Sequence, residues 1–298
     1  MTTVLITGAN GFIARHIAIT LKQEKLRTVG VSRKTSRIDG FDKVYAAYLG
    51  ESLKPVFEAE TIDVLVHCAN HVGKNEFKTN MNGTTLWMEE AKVHGVGLQI
   101  FLSSLSAKAN ALSDYGRAKF ELEQKFIKAH HVIFRLGLVI GNGGIFAKMT
   151  ESIRKLPVVP LLDNGTTEVY VLGIEFLCYV IRDCILNKGE GLRGQVWQIQ
   201  QLKAYTLREV MVTIRQQFGY ICWFIPIPSF PVLWALLTVE RLPFLKLHIS
   251  STNLKGLRQS SGKEFHSDFD KFGYPEESLD NLVRKVTVAK RFVDGYSY

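Results

Sequence analysis

The sequence predicts an α/β fold, in which a doubly wound parallel sheet is followed by a smaller and irregular C-terminal lobe. The length of 298 residues and the hydrophobic content of 46% suit a large buried core. In the first half, short apolar runs alternate with amphipathic helical stretches, which is typical of βαβ units. This alternation ends near Gly141, after which prolines mark frequent turns. With only 8 prolines and 22% charged residues, the composition excludes collagen-like, coiled-coil and disulfide-dense miniature folds.

The elements of the first half follow from residue spacing. Short apolar and β-branched runs between turn signals predict strands, and apolar residues at helical spacing predict helices. The predicted strands are Thr3–Ile6, Thr28–Val31, Val64–Cys68, Gln99–Leu102 and Val132–Leu136. The predicted helices are Ile13–Gln23, Asn82–His94 and Asp114–Ala129.

A glycine-rich turn joins the first predicted strand to the first predicted helix, in the segment TGANGFIA that begins at Thr7. Gly8 can make the tight turn, Gly11 lets a pyrophosphate approach the backbone, and Ala14 lets the helix pack closely on the sheet. The free N–H groups at the start of the helix attract phosphate. The pattern is typical of a Rossmann-type dinucleotide site, whose predicted cofactor-binding residues are Gly8, Asn10, Gly11, Phe12 and Ile13.

The end of the second strand indicates which dinucleotide binds. An NAD enzyme usually places an acidic residue there, whereas an NADP enzyme supplies Arg and small polar residues to the 2′-phosphate. This chain has Ser32, Arg33 and Lys34 and no acid. Arg33 can bind a phosphate with two hydrogen bonds and Ser32 can add a third. We therefore expect NADP(H) to be favoured over NAD(H), the alternative for Arg33 being a solvated basic turn.

A tyrosine and a lysine form the candidate catalytic pair. Tyr115 and Lys119 are four residues apart and lie on one face of a predicted helix. An ammonium there would favour the phenolate of a tyrosine, whose ordinary pKa is about 10, and could also hold the nicotinamide ribose. Upstream, Ser103 and Ser104 end a predicted strand, at the edge where parallel sheets bind ligands. The arrangement predicts proton transfer by Tyr115 beside Lys119 and Ser104.

The glycine loop, the strand-end serine and the YxxxK helix occur in the order that is typical of short-chain reductases. Over residues 2 to about 145 the chain resembles the extended short-chain dehydrogenase/reductase superfamily, and within it the NAD-dependent epimerase/dehydratase group. The resemblance implies that Ser104 orients the substrate carbonyl, that Tyr115 is the general acid/base and that Lys119 is its partner. It also implies cofactor contacts at three further positions, namely Asn80 in the segment NMNGT and Cys68 and Ala69 at the end of DVLVHCA.

The same resemblance implies a division into two domains. Residues 1–145, with a returning segment at about 166–200, would form the NADP-binding Rossmann domain. Residues of about 146–165 and 201–298 would form the substrate-binding lobe. The expected substrate is a small molecule, a nucleotide-diphosphate sugar of polysaccharide biosynthesis, and a homodimer is the family expectation.

The expected reaction is NADP-dependent reduction of a keto group, most simply the 4-keto group of that sugar, with Tyr115 as general acid. A 4,6-dehydratase usually carries an Asp-Glu pair after its strand-end hydroxyl, and this chain has Leu105 and Ser106 there. Three alternatives stay open. They are a nucleotide-sugar epimerase, a reductase of hydrophobic ketones lined by Tyr220–Leu237, and a non-catalytic NADPH-binding scaffold or sensor.

The charge balance leaves several partners open. The formal net charge is +9 and the pI is near 9.3, which suits nucleic acid, an anionic membrane or phosphorylated small molecules. No nucleic-acid-binding motif accompanies the basic residues near the C-terminus, Lys285, Lys290 and Arg291, and we expect them on a solvated helix face. Nucleic acid is therefore not expected as a partner.

The segment Tyr220–Val239 is long enough for a membrane span and carries no charge. Its three prolines at 226, 228 and 231 oppose a helical span, and we expect a buried strand followed by a helix. The aromatic residues of this region are expected in the core of the second lobe, namely Trp223, Phe224, Phe230 and Trp234.

The remaining residues with chemical potential are expected to be structural. The 4 cysteines show no CxxC spacing, which predicts free thiols, and with no signal-like N-terminus a cytoplasmic protein is expected. His67 is predicted to be a core histidine. The pair His130 and His131 has no acidic or cysteine partner at ligand spacing, so no metal site is expected.

Overall fold

The computed structural model describes residues 1–228 and 266–294. Strands and helices alternate through the first part of the chain. They are β1 Thr3–Thr7, α1 Phe12–Gln23, β2 Arg27–Ser32, β3 Lys43–Ala46, α2 Lys54–Ala59, β4 Val64–His67, α3 Glu76–Val93, β5 Leu98–Ser104, α4 Asp114–Lys128 and β6 Val132–Leu136. The later elements are β7 Leu138–Ile140, α5 Gly144–Lys155, β8 Val158–Leu162, β9 Glu168–Gly173, α6 Ile174–Leu186, β10 Val196–Ile199, β11 Ala204–Thr206, α7 Leu207–Phe218, β12 Trp223–Ile227 and α8 Leu279–Asp294.

The main sheet is parallel throughout. Its seven described strands lie in the order β10-β6-β5-β4-β1-β2-β3, and every neighbouring pair is parallel. The order reverses beside β1, which places β2 on one side of it and β4 on the other. This architecture confirms the predicted doubly wound α/β fold, and it puts the carboxyl ends of β1, β2, β4 and β5 along one edge of the sheet.

Helices pack on the sheet through large apolar side chains. On one face, Leu5 and Leu65 from the strands share a buried cluster with Trp87 of α3. Further along the sheet, Phe126 of α4 is fully buried and stacks on Phe101 of β5, with ring centroids 4.7 Å apart. Because successive strand residues point to opposite faces, Val4 and Ile6 lie on the other side of the sheet from Leu5. Both faces are therefore buried, which explains why the strands read as continuous apolar runs.

The chain divides into two compact units. The first comprises Met1–Asn110, Asp114–Leu136 and Ile174–Ile199, and it contains the main sheet. The second comprises Ala111–Ser113, Gly137–Gly173 and the described residues from Gln200 onwards. The N-terminal part of the first unit ends at Leu136, where 145 was expected, and its returning part is Ile174–Ile199, where about 166–200 was expected. Only Gly137 separates β6 from β7, so the two strands read as one apolar run.

Among the predicted elements of the first half, only α3 has a bound more than two residues from its predicted position. Helix α3 begins at Glu76 and not at Asn82. The prediction missed its first turns because Asn80, Asn82 and Gly83 have low helix propensity. Asn75, whose backbone is left-handed (φ 60°), precedes the helix. The strand β3 and the short helix α2 were not predicted, since each is too short to give a periodic pattern.

The second unit has its own core, in which Phe146 of α5, Ile214 of α7 and Val283 of α8 are buried together. The predicted strand after Tyr220 is present as β12, but it is not buried. Trp223 is 72% exposed and Ile225 is 48% exposed, because β12 pairs with β8 in a two-stranded sheet that covers the core with one face only. The expectation that Trp223 packs in the core is therefore wrong, whereas Phe224 does pack against the core.

Other predictions for this region concern residues, or side chains within α8, that the structure does not describe. They are the helix after β12, the placement of Phe230, Pro231 and Trp234, and the side chains of Lys290 and Arg291. Within residues 1–228 and 266–294, no helix is both long and apolar enough to cross a membrane.

The stacked pair Phe101 and Phe126 gives a test of the core. Replacing Phe126 with Ala removes a fully buried ring and leaves a cavity, so we expect the free energy of unfolding to fall by about 3–5 kcal/mol. Urea unfolding followed by circular dichroism measures this change. As a control, Val93→Ala alters a residue that is 81% exposed and should change stability by less than about 0.5 kcal/mol. Equal effects of the two changes would contradict the assigned packing.

Candidate active site

The loop between β1 and α1 lies directly against the ends of the neighbouring strands. Gly8 has a φ of 71°, and a Cβ atom there would lie 3.0 Å from the Cα of Ala69, just after β4. The amide of Ala9 donates to the carbonyl of Val31 in β2 at 2.8 Å, and the amide of Gly11 donates to the carbonyl of Gly8 at 2.7 Å. A side chain at Gly8 is therefore excluded both by conformation and by space.

The first turn of α1 is open to an anion. Gly11 is the N-cap, no side chain caps the helix, and the first turn holds no acidic residue. The Phe12 ring packs edge-on against the His16 ring, with centroids 4.7 Å apart. No side chain caps the start of the helix. The backbone N–H groups of its first turn, together with the helix dipole, suit a pyrophosphate.

Thr7 supports this loop in a way that the sequence analysis missed. Its hydroxyl accepts hydrogen bonds from the amides of Cys68 and Ala69, each at 3.1 Å, and donates to the carbonyl of Val66 at 3.4 Å. The only sign of this contact in the local sequence is a threonine at the end of a strand, just before the glycine turn. The contact fixes the end of β4, where two predicted cofactor-binding residues lie, against β1.

The end of β2 presents hydroxyl and basic groups. Ser32 is buried, accepts a hydrogen bond from the side chain of Asn10 at 3.3 Å and donates to the carbonyl of Lys34 at 2.6 Å. Arg33 and Lys34 are exposed. The predicted residues Asn10 and Ser32 are thus in contact, and Arg33 is free to turn toward a ligand at this edge of the sheet.

Asn80 is occupied by the loop that precedes α3. Its amide oxygen accepts from the backbone N–H of His71 at 2.8 Å, and its amide nitrogen donates to the carbonyls of His71 and Glu76, each at 2.8 Å. The side chain therefore shapes the loop after β4. Any contact of Asn80 with a cofactor would be additional to these bonds.

The three predicted catalytic residues lie close together. Ser104 is the last residue of β5, and Tyr115 and Lys119 lie in the first two turns of α4. Lys119 is only 7% exposed and donates to the carbonyl of Leu102 at 2.7 Å. Its Nζ lies 5.7 Å from the centroid of the Tyr115 ring. The phenol of Tyr115 is hydrogen-bonded to the side chain of Ser104. The hydroxyl of Ser106 donates to that of Ser104 at 3.0 Å, so Ser104 can direct its own proton elsewhere.

The pKa of Tyr115 differs from the expectation. Lys119 was expected to favour the phenolate, but burial raises the pKa of Tyr115, a hydrogen bond with Ser104 lowers it, and the charge of Glu76 raises it. Lys119 points its Nζ at the Leu102 carbonyl and over the aromatic rings, so burial prevails. The phenol is therefore protonated at neutral pH and can act as an acid. The proximity of Glu76 was not predicted, since Glu76 lies before the predicted start of its helix.

Burial also sets the other titratable groups near Lys119. It lowers the pKa of Lys119 to about 8, while the neighbouring Cys68 and Glu123 act to raise it. It raises the pKa of the Cys68 thiol to about 12 and lowers that of His67 to about 3. His67 is 2% exposed and shares a hydrogen bond of 2.9 Å with Gln99, so its predicted place in the core is confirmed. The described residues contain no group of three potential metal ligands.

Comparisons with known proteins agree with this geometry. The family model described as NAD dependent epimerase/dehydratase family matches residues 4–169. No curated protein matches the chain significantly.

Solved structures share the fold at low sequence identity. A UDP-glucose 4-epimerase from Thermotoga maritima, determined with UDP-glucose, superposes with a TM-score of 0.75 at 16% identity, over 98% of this chain and 99% of that one. The UDP-glucose 4-epimerase from Bifidobacterium longum in complex with NAD+ and UDP gives 0.73 at 18% identity over 100% of both chains. A dTDP-glucose 4,6-dehydratase from Bacillus anthracis in complex with NAD gives 0.72 at 14% identity, over 99% and 98%.

Gly8 offers a test of the loop. We expect Gly8→Ala to destabilise the protein and to weaken NADPH binding at least about tenfold, because the Cβ would displace the end of β4. Gly95→Ala is the matched control, since its φ of 77° is similar and nothing lies within 4 Å of its Cβ position. It should show only the cost of the left-handed backbone, about 1–2 kcal/mol, with unchanged NADPH affinity. Titration of NADPH fluorescence and urea unfolding measure both quantities, and an equal NADPH affinity in the two variants would refute the role of Gly8.

Proposed function

The chain belongs to the NAD dependent epimerase/dehydratase family, and we propose that it is an NADP-dependent reductase of a keto group, most specifically the 4-keto group of a nucleotide-diphosphate sugar. The observation that carries this proposal is the cluster at the ends of β5 and α4. There a protonated tyrosine, a buried lysine and a strand-end serine share one small volume. A carbonyl oxygen that meets the Tyr115 phenol would have a proton donor and a second hydrogen-bond donor, Ser104.

The residues of the loop fit a dinucleotide. The tight turn at Gly8, the uncapped first turn of α1 and the absence of acids from that turn would admit a pyrophosphate. Ser32, Arg33 and Lys34 would hold a 2′-phosphate. These features support NADP(H) over NAD(H) for this chain. The two relatives solved with NAD or NAD+ support a nicotinamide dinucleotide in general.

The chain's own side chains would carry the proton transfer. When bound, the reduced nicotinamide supplies a hydride to the carbonyl carbon. Tyr115 gives its phenolic proton to the carbonyl oxygen as the C=O bond becomes a C–O single bond, which yields an alcohol and leaves a phenolate. Ser104 donates a hydrogen bond to the same oxygen and orients it. Lys119 would hold the nicotinamide ribose through the donors of its ammonium.

The substrate class is supported by similarity. The relatives are enzymes of UDP-glucose and dTDP-glucose, and one of them was solved with UDP-glucose. A nucleotide diphosphate also agrees with the net charge of +9. The positions after Ser104 hold Leu105 and Ser106, and Ser106 is engaged with Ser104, so neither supplies the acid and base that a dehydration needs.

Epimerisation is the second candidate. It is favoured by the structural likeness to two UDP-glucose 4-epimerases. An epimerase retains its oxidised cofactor through the cycle and needs no net supply of NADPH. A homodimer, which follows from the family resemblance, and a cytoplasmic location, which follows from the pattern of free cysteines, are further parts of the proposal.

Arg33 tests the cofactor preference. We expect Arg33→Ala to raise the KM for NADPH by about tenfold to a hundredfold, because a charge-assisted pair with the 2′-phosphate is lost, and to leave the KM for NADH nearly unchanged. Steady-state kinetics with both cofactors measure the ratio. Arg37→Ala is a suitable control, since Arg37 is also exposed and basic but lies further from the end of β2. Equal changes for NADPH and NADH would contradict an NADP-specific site.

Tyr115 tests the reaction. NADPH oxidation with a panel of 4-keto nucleotide sugars should fall about 10²- to 10⁴-fold in Tyr115→Phe, which lacks the transferable proton, while NADPH affinity stays within about threefold of the wild type. A UDP-glucose and UDP-galactose pair in the same panel reports epimerisation. Interconversion of UDP-glucose and UDP-galactose without net NADPH consumption would show that the protein is an epimerase and not a reductase. No turnover of any sugar by the wild type, with tight NADPH binding, would overturn both.

A further inference from the structure

An ionic cluster with a fully buried carboxylate lies next to the candidate site. The carboxylate of Glu123 on α4 is fully buried and accepts a hydrogen bond from the hydroxyl of Ser103 at 2.5 Å. It also accepts two hydrogen bonds from the guanidinium of Arg135, from Nε at 2.8 Å and from Nη2 at 2.5 Å. Burying an ionised carboxylate costs several kcal/mol, and an apolar residue in its place is often as stable. The Arg135 side chain is 22% exposed, so this cost falls mainly on Glu123. Stability alone therefore does not explain why a carboxylate occupies this position.

Two members of the cluster, Ser103 and Glu123, are close in sequence to residues of the candidate site, and Arg135 joins them. Ser103 directly precedes Ser104 in β5. Arg135 on β6 is the register partner of Ser103. Glu123 follows Lys119 by one helical turn on α4, as Lys119 follows Tyr115, so all three lie on one face of the helix. The Lys119 ammonium in turn donates to the carbonyl of Leu102, immediately before Ser103.

The cluster therefore ties α4 to the ends of β5 and β6 at the level where the site begins. We propose that Glu123 is a positioning residue, which with Arg135 and Ser103 fixes the spacing between Ser104 on β5 and the Tyr115 and Lys119 face of α4. This inference rests on the proposed reductase function for the roles of those three residues. Glu123 itself would touch neither substrate nor cofactor.

The charge of Glu123 has a second effect, on the protonation of Lys119. The titratable groups that face Lys119 are His67 and Cys68 at the end of β4, and Tyr115 and Glu123 on α4. With pKa values of about 3 and about 12, His67 and Cys68 are neutral between pH 7 and 9, and the Tyr115 phenol is protonated. Glu123 is then the group in this set that carries a negative charge. Removing that charge lowers the pKa of Lys119 below about 8, so the ammonium is lost at a lower pH.

The test compares Glu123→Gln with Glu121→Gln, a matched control on the exposed side of the same helix. The dissociation constant for NADPH is measured by its fluorescence from pH 7 to 10. In the wild type and in Glu121→Gln, affinity should weaken as the pH rises through about 8, since Lys119 loses its charge. In Glu123→Gln the same weakening should occur at least about half a pH unit lower. The kcat for keto-sugar reduction should fall at least about tenfold, with a smaller change in the KM for NADPH.

Two further variants separate geometry from charge. Glu123→Asp keeps the charge but shortens the side chain. It should retain the wild-type pH limb of NADPH binding, which is the pH range over which affinity weakens as Lys119 loses its charge, while kcat falls. Ser103→Ala removes one hydrogen bond and leaves the ion pair in place, so it tests the positioning role even if Glu123→Gln fails to fold. It should lower kcat about threefold to tenfold without moving the pH limb.

The possible outcomes distinguish this inference from the proposed reaction. A folded Glu123→Gln variant with the kcat and the pH limb of Glu121→Gln would overturn the positioning role, and so would an unfolded Glu123→Gln together with a Ser103→Ala variant of wild-type kcat. If no keto sugar is reduced even by the wild type, the proposed reaction fails. The shift of the pH limb of NADPH binding then still decides whether Glu123 controls Lys119.

Discussion

The parallel register of the main sheet is the constraint on which the rest of the structure depends. Because β1, β2, β4 and β5 all run in one direction, every loop that carries a candidate functional group leaves the sheet at the same edge. The hydroxyl of Thr7 joins two of these strand ends, and the amide of Ala9 joins a third. Residues that are distant in sequence, such as Ser32 and Ser104, thereby come to one edge without any direct contact between them.

The local patterns of the first half were sufficient to predict the fold. Strands that are buried on both faces leave continuous apolar runs, and the helix of Tyr115 has clear helical spacing, so both were found with small errors at their ends. The glycine loop was recognisable because a left-handed residue and a close approach at Gly8 allow almost no other residue type. The start of α3 was missed because tertiary contacts overrode the low helix propensity of its first turns.

Features that arise from packing across elements could not be predicted. Nothing in the sequence around Glu123 or Arg135 indicates that the two meet, since they belong to different elements and only the strand register brings them together. The rise in the pKa of Tyr115 depends on how deeply the phenol is buried and on where the Lys119 ammonium points. The exposure of Trp223 was missed for a similar reason, because hydrophobicity predicts burial only when another layer covers the strand.

The discontinuity of the first unit has a consequence for how the chain folds. Helix α6 and strand β10 belong to this unit, although the chain reaches them only after passing through residues 137–173 of the second. In α6, Phe176, Val180 and Ile181 are almost fully buried, and α6 packs beside α1. During synthesis on the ribosome, the apolar flank of α1 and the edge of β6 therefore stay exposed until α6 and β10 have been synthesised. A fragment that stops after β6 would keep the whole glycine loop yet carry an unpaired strand edge, which is a template for pairing with another chain.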